Sequence, residues 1–385
     1  MLFPAAVRRM FARLLAKPDH RVQRPATPTR PRGSTLDMPV DDINAYLDVQ
    51  RHACVVLEGA STWRALSHDS VGEVLSDSAS FSSCPQAYLD PVLLGANPPA
   101  HNRSRKMLSV YLTSKAGRAL ERGALVARSL LAPRLEVVSG YSEPLARAFA
   151  AEILGICERS FEDLLASVLA TREQSEPDFA SGAINLARRS ELYGALRREL
   201  EDWEAVSLVA LVATASTETV ERLIARCVLV LLRDEALRTG LVERPGGLVP
   251  FIEEVLRLFP PEPTLVREAR QDVVLGGHEI PRGDSVSVSV AAANRDPAFY
   301  QNSQRIRLDR SERQHFSFGA GVHQCIGAGL ARRLCFSALD TLLKEAPGFR
   351  SYGPISEAAI ADVGGRLLPK ELWINLPDLR SPQAS

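Results

Sequence analysis

Charge of a prevailing sign is the first thing this sequence lacks. Its 385 residues carry 46 Lys and Arg against 46 Asp and Glu, a formal net charge of zero at pH 7. No global field draws it to nucleic acid or an anionic membrane, and neither partner is expected. Paired cysteines are missing as well. The six cysteines (54, 84, 157, 227, 325, 335) are scattered without CxxC spacing. That is no disulfide framework, and it fits a reducing, cytoplasmic setting. No secretory signal peptide is visible. Nor is there an unbroken apolar run long enough to span a bilayer. The longest, Val206 to Leu232, is interrupted by Glu218, Glu221, Arg222 and Arg226. Four charges are too costly in hydrocarbon, so a buried helix of a soluble protein is the reading. Nucleotide and hydrolase motifs are absent: there is no GxxxxGK(S/T) loop and no GxSxG elbow, and a GxGxxG fingerprint fails at Gln324. Nicotinamide or flavin binding is therefore not expected, and redox chemistry would draw electrons from another protein.

What is present begins with 45% hydrophobic residues, enough for a large core. Length alone suggests two or three domains. In residues 1–17, Val7, Met10, Phe11, Leu14 and Leu15 fall on one helical face and Arg8, Arg9, Arg13 and Lys17 on the other. No acid precedes Asp19. An organelle presequence, a membrane-surface anchor, a docking helix and a frayed extension all fit this pattern. Residues 18–34, rich in Pro and Arg, read as an extended linker. Beyond them the periodicity predicts helices over 103–130, 143–156, 186–200, 206–233, 248–258 and 326–345. Alternating Val286, Val288 and Val290 predict a strand with one buried face. Gly276-Gly277, between Val273-Val274-Leu275 and Ile280, predicts a hairpin, and Leu372–Leu376 a further strand.

The most informative segment runs Phe318-Gly319-Ala320-Gly321-Val322-His323-Gln324-Cys325-Ile326-Gly327. Glycines let a backbone turn tightly and approach a flat object closely. No second Cys or His lies at zinc-type spacing, so one strong thiolate ligand is the better use of Cys325. A haem iron held by a single thiolate fits, because the sulfur pushes electron density onto iron and favours O–O cleavage.

The pattern Phe318-Gly-x-Gly321-x-His323-x-Cys325-x-Gly327 resembles the haem-binding signature of the cytochrome P450 family, complete at its fixed positions. The resemblance covers about residues 40–380 and is strongest from 206 to 345. It implies one cytochrome P450 domain over 35–385, mainly α with small β-sheets: a single large helical unit with a β-rich lobe, against the length-based prior. It implies haem b (iron protoporphyrin IX) ligated by Cys325 and cradled by Phe318, Gly319 and Gly327. His101, Arg105, Arg267 and His323 match the family's propionate-binding positions. Glu254 and Arg257, three apart on one helical face, match its buried ExxR pair, and Arg305 its third charge. Ala215-Ser216-Thr217-Glu218-Thr219 resembles the acid–alcohol motif, with Glu218 and Thr219 as the catalytic pair. Two departures stand out: Ser216 replaces the usual glycine, and Val220 a second hydroxyl.

By the same resemblance Val212, Ala215, Ser216, Pro263, Thr264, Leu265 and Val266 line the pocket. They are mostly apolar and imply a hydrophobic substrate. Glu262 reads either as a partner for a substrate cation or as an exposed turn residue. The lid region 157–203 looks short, which fits an open site for a large or carrier-tethered substrate as well as a small compact one. Arg103, Arg105, Lys106, Arg332 and Arg333 form a basic patch suited to an acidic ferredoxin or flavodoxin. The expected protein is a monomeric monooxygenase that puts one atom of O2 into a hydrophobic molecule, in the secondary metabolism typical of bacterial members. Oxidative coupling, desaturation, peroxide-driven chemistry and a non-catalytic haem protein stay open.

Overall fold

The computed structural model describes residues 54–353 and 371–379, apart from 60, 84–91, 175–176 and 378. The amphipathic stretch 1–17, the linker 18–34 and the boundary drawn after it lie outside the described residues. Helix dominates. In chain order the helices are α1 His68–Ser76, α2 Ala100–Ser129, α3 Glu143–Leu154, α4 Glu158–Gln174, α5 Pro177–Ala187, α6 Glu191–Leu196, α7 Asp202–Ala215, α8 Glu218–Arg233, α9 Glu235–Glu243, α10 Leu248–Leu258, the short α11 Val290–Ala293 and α12 Ala328–Glu345.

Strands β1 Val55–Gly59, β2 Thr62–Ala65, β3 Phe81–Ser82, β5 Thr264–Ala269 and β8 Ser285–Ser289 form one sheet in the order β1-β2-β8-β5-β3. A second sheet joins β4 Arg134–Glu136, β10 Trp373–Asn375 and β9 Arg350–Ser351 in that order, and β6 Val273–Leu275 pairs with β7 His278–Ile280. The last pair is the hairpin predicted at Gly276-Gly277; both glycines have positive φ. Within the large sheet β5 runs antiparallel to β8, with Leu265 opposite Val288 and Arg267 opposite Val286.

Among the described residues two large apolar cores form, beside a small cluster of Leu66, Ala291 and Ala292. The larger gathers the helices; the smaller lies under the five-stranded sheet around Val286, Val288, Leu275 and Phe316. Helix α8 lies inside the larger core, with Leu223, Ile224, Val228 and Leu231 all buried. Helices α2 and α12 pack at close quarters. A Cβ at Gly123 would come within 2.6 Å of Leu334 Cδ1, so glycine sets how near the two helices lie.

Three expectations need correction. The helix predicted over 206–233 is two helices, broken at Ser216-Thr217. Side-chain hydroxyls cause the break: Ser216 donates to Val212 O at 2.6 Å and Thr217 to Ala213 O at 3.2 Å, and Thr214 bonds Ala210 O at 3.1 Å. Hydroxyls that bond back to the preceding turn compete with the backbone ladder and bend helices. The helix predicted over 186–200 is the end of α5 followed by the short α6, which starts afresh where Ser190 Oγ caps Tyr193 N–H. The strand predicted through Val290 stops one residue earlier, because Ser289 Oγ accepts the Ala292 N–H and starts α11.

Candidate functional site

Cys325 stands just before α12, and the backbone around it is tied into a tight loop. Its N–H donates to Phe318 O at 2.7 Å, and Gly319 N–H donates to Phe316 O at 2.8 Å. Gly319 and Gly321 both have positive φ, +65° and +64°. The close approach at Gly321 is to protein: an added Cβ would lie 2.6 Å from Leu75 O at the end of α1. Gly327 is the N-cap of α12, and an added Cβ there would sit 3.9 Å from the sulfur. Burial pushes the Cys325 thiol up, while the Gly327 and Ala328 amides and the Arg105 and Arg332 charges pull it down. Cys325 is exposed as a residue, yet its thiol is strongly desolvated. Helix N-termini and nearby cations are where thiolates are stabilised.

Behind the loop lies a buried charge hub. Arg257 grips Glu254 with two bonds, 2.7 and 2.9 Å, and donates to Asn294 O, Ser303 O and Arg305 O. Asn294 carries the tie onward: its side chain holds Ser317 Oγ at 2.9 Å and Phe316 N–H at 2.8 Å, two residues from Phe318. The third charge of the hub is Arg310, not the expected Arg305. Arg310 Nε donates to Glu254 at 2.9 Å and its side chain is 4% exposed. Arg305 is exposed and gives the hub only its carbonyl, which accepts from both Arg257 and Arg310. Although burial raises the Glu254 carboxyl, its bonds to Arg257, Arg307 N–H and Arg310 hold it below the usual carboxylate range. A second pair was missed from sequence: Glu253 binds Arg332 at 2.7 and 2.9 Å and His315 at 3.1 Å. Against its burial, these partners bring Glu253 down to about 2. Arg332 in turn lies 4.3 Å over the Phe318 ring. The adjacent acids Glu253-Glu254, which reach different partners from α10, were the only sequence hint.

On the open side the expected cofactor residues converge. The His101 and His323 rings meet edge to face with centroids 4.6 Å apart. Arg105 and Arg267 lie close enough for their charges, after burial and His101, to help depress His323 to about 4. Buried Arg267 bonds only the Val266 carbonyl among the described residues, and desolvation lowers it to about 10. His101 Nδ1 faces Asn102 Oδ1, leaving the buried Nε2 without a partner. Ser83 Oγ gives its proton to Leu94 O, so it accepts from His323 Nε2 at 2.9 Å. Four basic side chains thus crowd together, and no described acid pairs with any of them. Such a cluster calls for an anionic group, and the two carboxylates of a haem fit it.

The proposed acid–alcohol residues sit just past the helix break. Thr219 Oγ1 donates to Ala215 O at 2.8 Å, keeping its lone pairs free to accept. Glu218 is bound by Arg222 at 2.9 Å, and Arg222 reaches Glu262 at 3.3 Å. Glu262 therefore faces an arginine of its own chain, which answers the question its position raised. Of the proposed pocket residues, Ala215 and Thr264 are exposed and Val212, Ser216, Pro263, Leu265 and Val266 half-buried. They stand at the end of α7 and along the segment leading into β5; the Arg222–Glu262 contact ties the start of α8 to that same segment. In the basic patch, Arg103, Lys106 and Arg333 are exposed, whereas Arg332 is committed to Glu253 and Arg105 to the cationic cluster. Among the described residues no helix is long and apolar enough to cross a membrane.

Comparison with known proteins agrees with this geometry. The family model described as Cytochrome P450 matches residues 248–345. Pentalenic acid synthase of Streptomyces avermitilis is 30% identical over 293 residues, 69% of this chain and 73% of that protein. The mycinamicin IV hydroxylase/epoxidase of Micromonospora griseorubida is 29% identical, over 67% of this chain and 73% of its own length. Among solved structures, CYP109E1 from Bacillus megaterium in complex with testosterone superposes with a TM-score of 0.77 at 24% identity, covering 88% of this chain and 98% of that one.

Proposed function

The chain belongs to the cytochrome P450 family of monooxygenases, and from that premise we propose that it inserts one atom of O2 into a hydrophobic small molecule of secondary metabolism, with haem b held by Cys325. The observation that carries the reading is the pairing of an accessible, cation-flanked Cys325 with an acid-free cluster of His101, Arg105, Arg267 and His323. When bound, the haem supplies an iron that activates O2 with two electrons.

The rest is the work of this chain's own residues. The Gly327 and Ala328 amides steady negative charge on the Cys325 sulfur. Arg105, Arg267, His101 and His323 hold the propionates by charge and hydrogen bonding. Thr219 and Glu218, at the broken helix, orient and pass protons at the Oγ1 and carboxylate oxygens. The apolar atoms of Val212, Pro263, Leu265 and Val266 support an apolar substrate body and keep bulk water out. Electrons come from a redox partner; exposed Arg103, Lys106 and Arg333 support an acidic ferredoxin or flavodoxin.

One observation favours a second reading, in which the enzyme couples, desaturates or uses peroxide. Ser216 stands where the family has glycine, one turn before Thr219, and its hydroxyl bonds Val212 O. Thr219→Ala separates the two. An O2-inserting enzyme loses product to released peroxide, and a peroxide-driven one keeps its rate. The first test of the main reading is a spin-state titration of the ferric protein with hydrophobic compounds, beside the CO spectrum of the reduced form. A low-to-high-spin shift with a thiolate-type CO band supports it. A CO band of a neutral thiol or histidine ligand overturns it.

A further inference from the structure

The ion pair between Glu253 and Arg332 is partly open to solvent, its side chains 29% and 37% exposed, and pairs of that kind add little to stability. Its geometry is nevertheless fully specified. Arg332 Nε and Nη2 bind the two carboxylate oxygens in a parallel fork at 2.7 and 2.9 Å. His315 Nε2 binds the second of those oxygens at 3.1 Å. The Ser317 N–H donates to His315 Nδ1 at 3.3 Å, so the ring proton is on Nε2 and points at Glu253.

What these three residues surround supplies a reason for them. Arg332 Cζ lies 4.3 Å over the Phe318 ring, and the His315 ring stands 6.3 Å from the same ring at a tilt of 38°. Phe318 is tied in turn to the thiol residue: its carbonyl accepts the Cys325 N–H at 2.7 Å. Arg332 also sits in the second turn of α12, the helix that starts three residues after Cys325. A cation placed there draws negative charge away from the sulfur, as its effect on the Cys325 thiol shows. The Glu253 carboxylate, bound to the same guanidinium, offsets that pull. Held at about 2, Glu253 stays ionised throughout the neutral range, so the offset is constant.

We propose that Glu253 and Arg332 are positioning residues for the reduction of the bound haem: acting through Phe318 and the Cys325 loop, their balance of charge sets how strongly the sulfur donates to iron. The proposal rests on the reading that Cys325 holds a haem. The step concerned moves one electron from a reduced ferredoxin-type donor to ferric iron, giving ferrous iron, and no bond within the protein forms or breaks. A sulfur that keeps more negative charge favours ferric iron and lowers the midpoint potential. One that gives charge up to a neighbouring cation raises it.

The test is a spectroelectrochemical titration of the haem-loaded enzyme, beside the infrared C–O stretch of its reduced CO complex. R332M keeps a long side chain and removes the cation, so the midpoint potential falls and the C–O stretch moves to lower frequency. E253Q keeps a hydrogen-bonding partner for Arg332 and removes the negative charge, so both readings move the other way. The double variant R332M/E253Q returns toward the wild type in both. R332K keeps the charge without the fork and recovers most of the potential lost in R332M. If R332M fails to load haem, E253Q and R332K decide: the first must raise the potential and the second must hold it near the wild type. A plain bracing role disturbs the loop in every variant and moves the potential one way only, or not at all. Either result overturns the proposal, while a thiolate-type CO band leaves the haem-thiolate reading standing. A wild-type CO band of a neutral thiol or histidine ligand overturns both.

Discussion

The charge hub behind the Cys325 loop offers the sharpest test, because sequence and structure choose different arginines. Arg310→Ala removes a side chain that is 4% exposed and bonds Glu254 at 2.9 Å. Its loss also strips donors from the Gln301, Asn302 and Arg305 carbonyls. Glu254 is then left buried with Arg257 as its one ion-pair partner, beside the Arg307 N–H. Breaking a buried pair from one side costs about 3–5 kcal/mol. Unfolding entropy of about 2.1 cal/mol/K per residue gives about 0.8 kcal/mol/K for 385 residues. The expected fall in Tm is therefore about 4–6 °C. Arg305→Ala removes only an exposed side chain and leaves its carbonyl in place, so stability changes by about 0.5 kcal/mol or less. A pH signature separates the hub from plain loss of packing. Glu254 is held below its ordinary range in the folded state, so it contributes stability above that range and loses it as pH falls through its folded value. Without Arg310 that value rises, and acid unfolding of R310A begins at higher pH than in the wild type. Thermal melts and acid titrations of the two haem-loaded variants are the assay. Equal behaviour of R310A and R305A, or an unmoved acid transition in R310A, refutes the reasoning.

Other outcomes follow from the same geometry. Gly321→Ala combines a φ of +64° with a Cβ 2.6 Å from Leu75 O, so the loop must shift; the reduced CO spectrum should show loss of thiolate ligation, and unfolding free energy should fall by more than the roughly 1–2 kcal/mol of the backbone cost alone. Arg267→Met should speed haem transfer to apomyoglobin about tenfold or more, the worth of one charge-assisted bond. In the haem-free protein His323 stays neutral down to about 4, below its ordinary 6.5, so the unfolded chain takes up protons first and stability falls as pH drops between those values. Melts of apo-protein should show that slope, which His323→Asn and haem loading each flatten.

How much of this was legible in the sequence depends on what kind of information each feature carries. Helix α10 matches its predicted span, 248–258, because its amphipathic face is strong and ends where Pro260-Pro261 forbid continuation. The ends of α2 and α12 differ from prediction by a few residues. The cationic cluster was found by resemblance to a family pattern. Spacing could not find it, since His101 and His323 are 222 positions apart and meet only in the fold. The break in the 206–233 helix was invisible because serine and threonine look tolerable in a helix; whether their hydroxyls turn back onto the ladder depends on local geometry. Arg305 was misassigned for a similar reason. The segment 305–313 offers Arg305, Arg307, Arg310 and Arg313, and nothing in their spacing says which one points inward.

The contacts of Arg310 and Arg257 show why the fold needs more than a ligand cysteine. Arg257 and Arg310, both held by Glu254, fix the carbonyls of 294, 301, 302, 303 and 305, and Asn294 passes that rigidity to Phe316 and Ser317. Glu253, one residue before Glu254, braces the other flank through His315 and Arg332, and Arg332 presses on Phe318. Consecutive acids on one helix therefore clamp the loop from two sides, so the sulfur of Cys325 is aimed by structure formed well away from it. The cluster on the open side is left in the opposite state: buried, cationic and without an acid. Rigid support behind the sulfur and unmet charge in front are complementary demands, and an anionic, flat, metal-bearing group meets both at once.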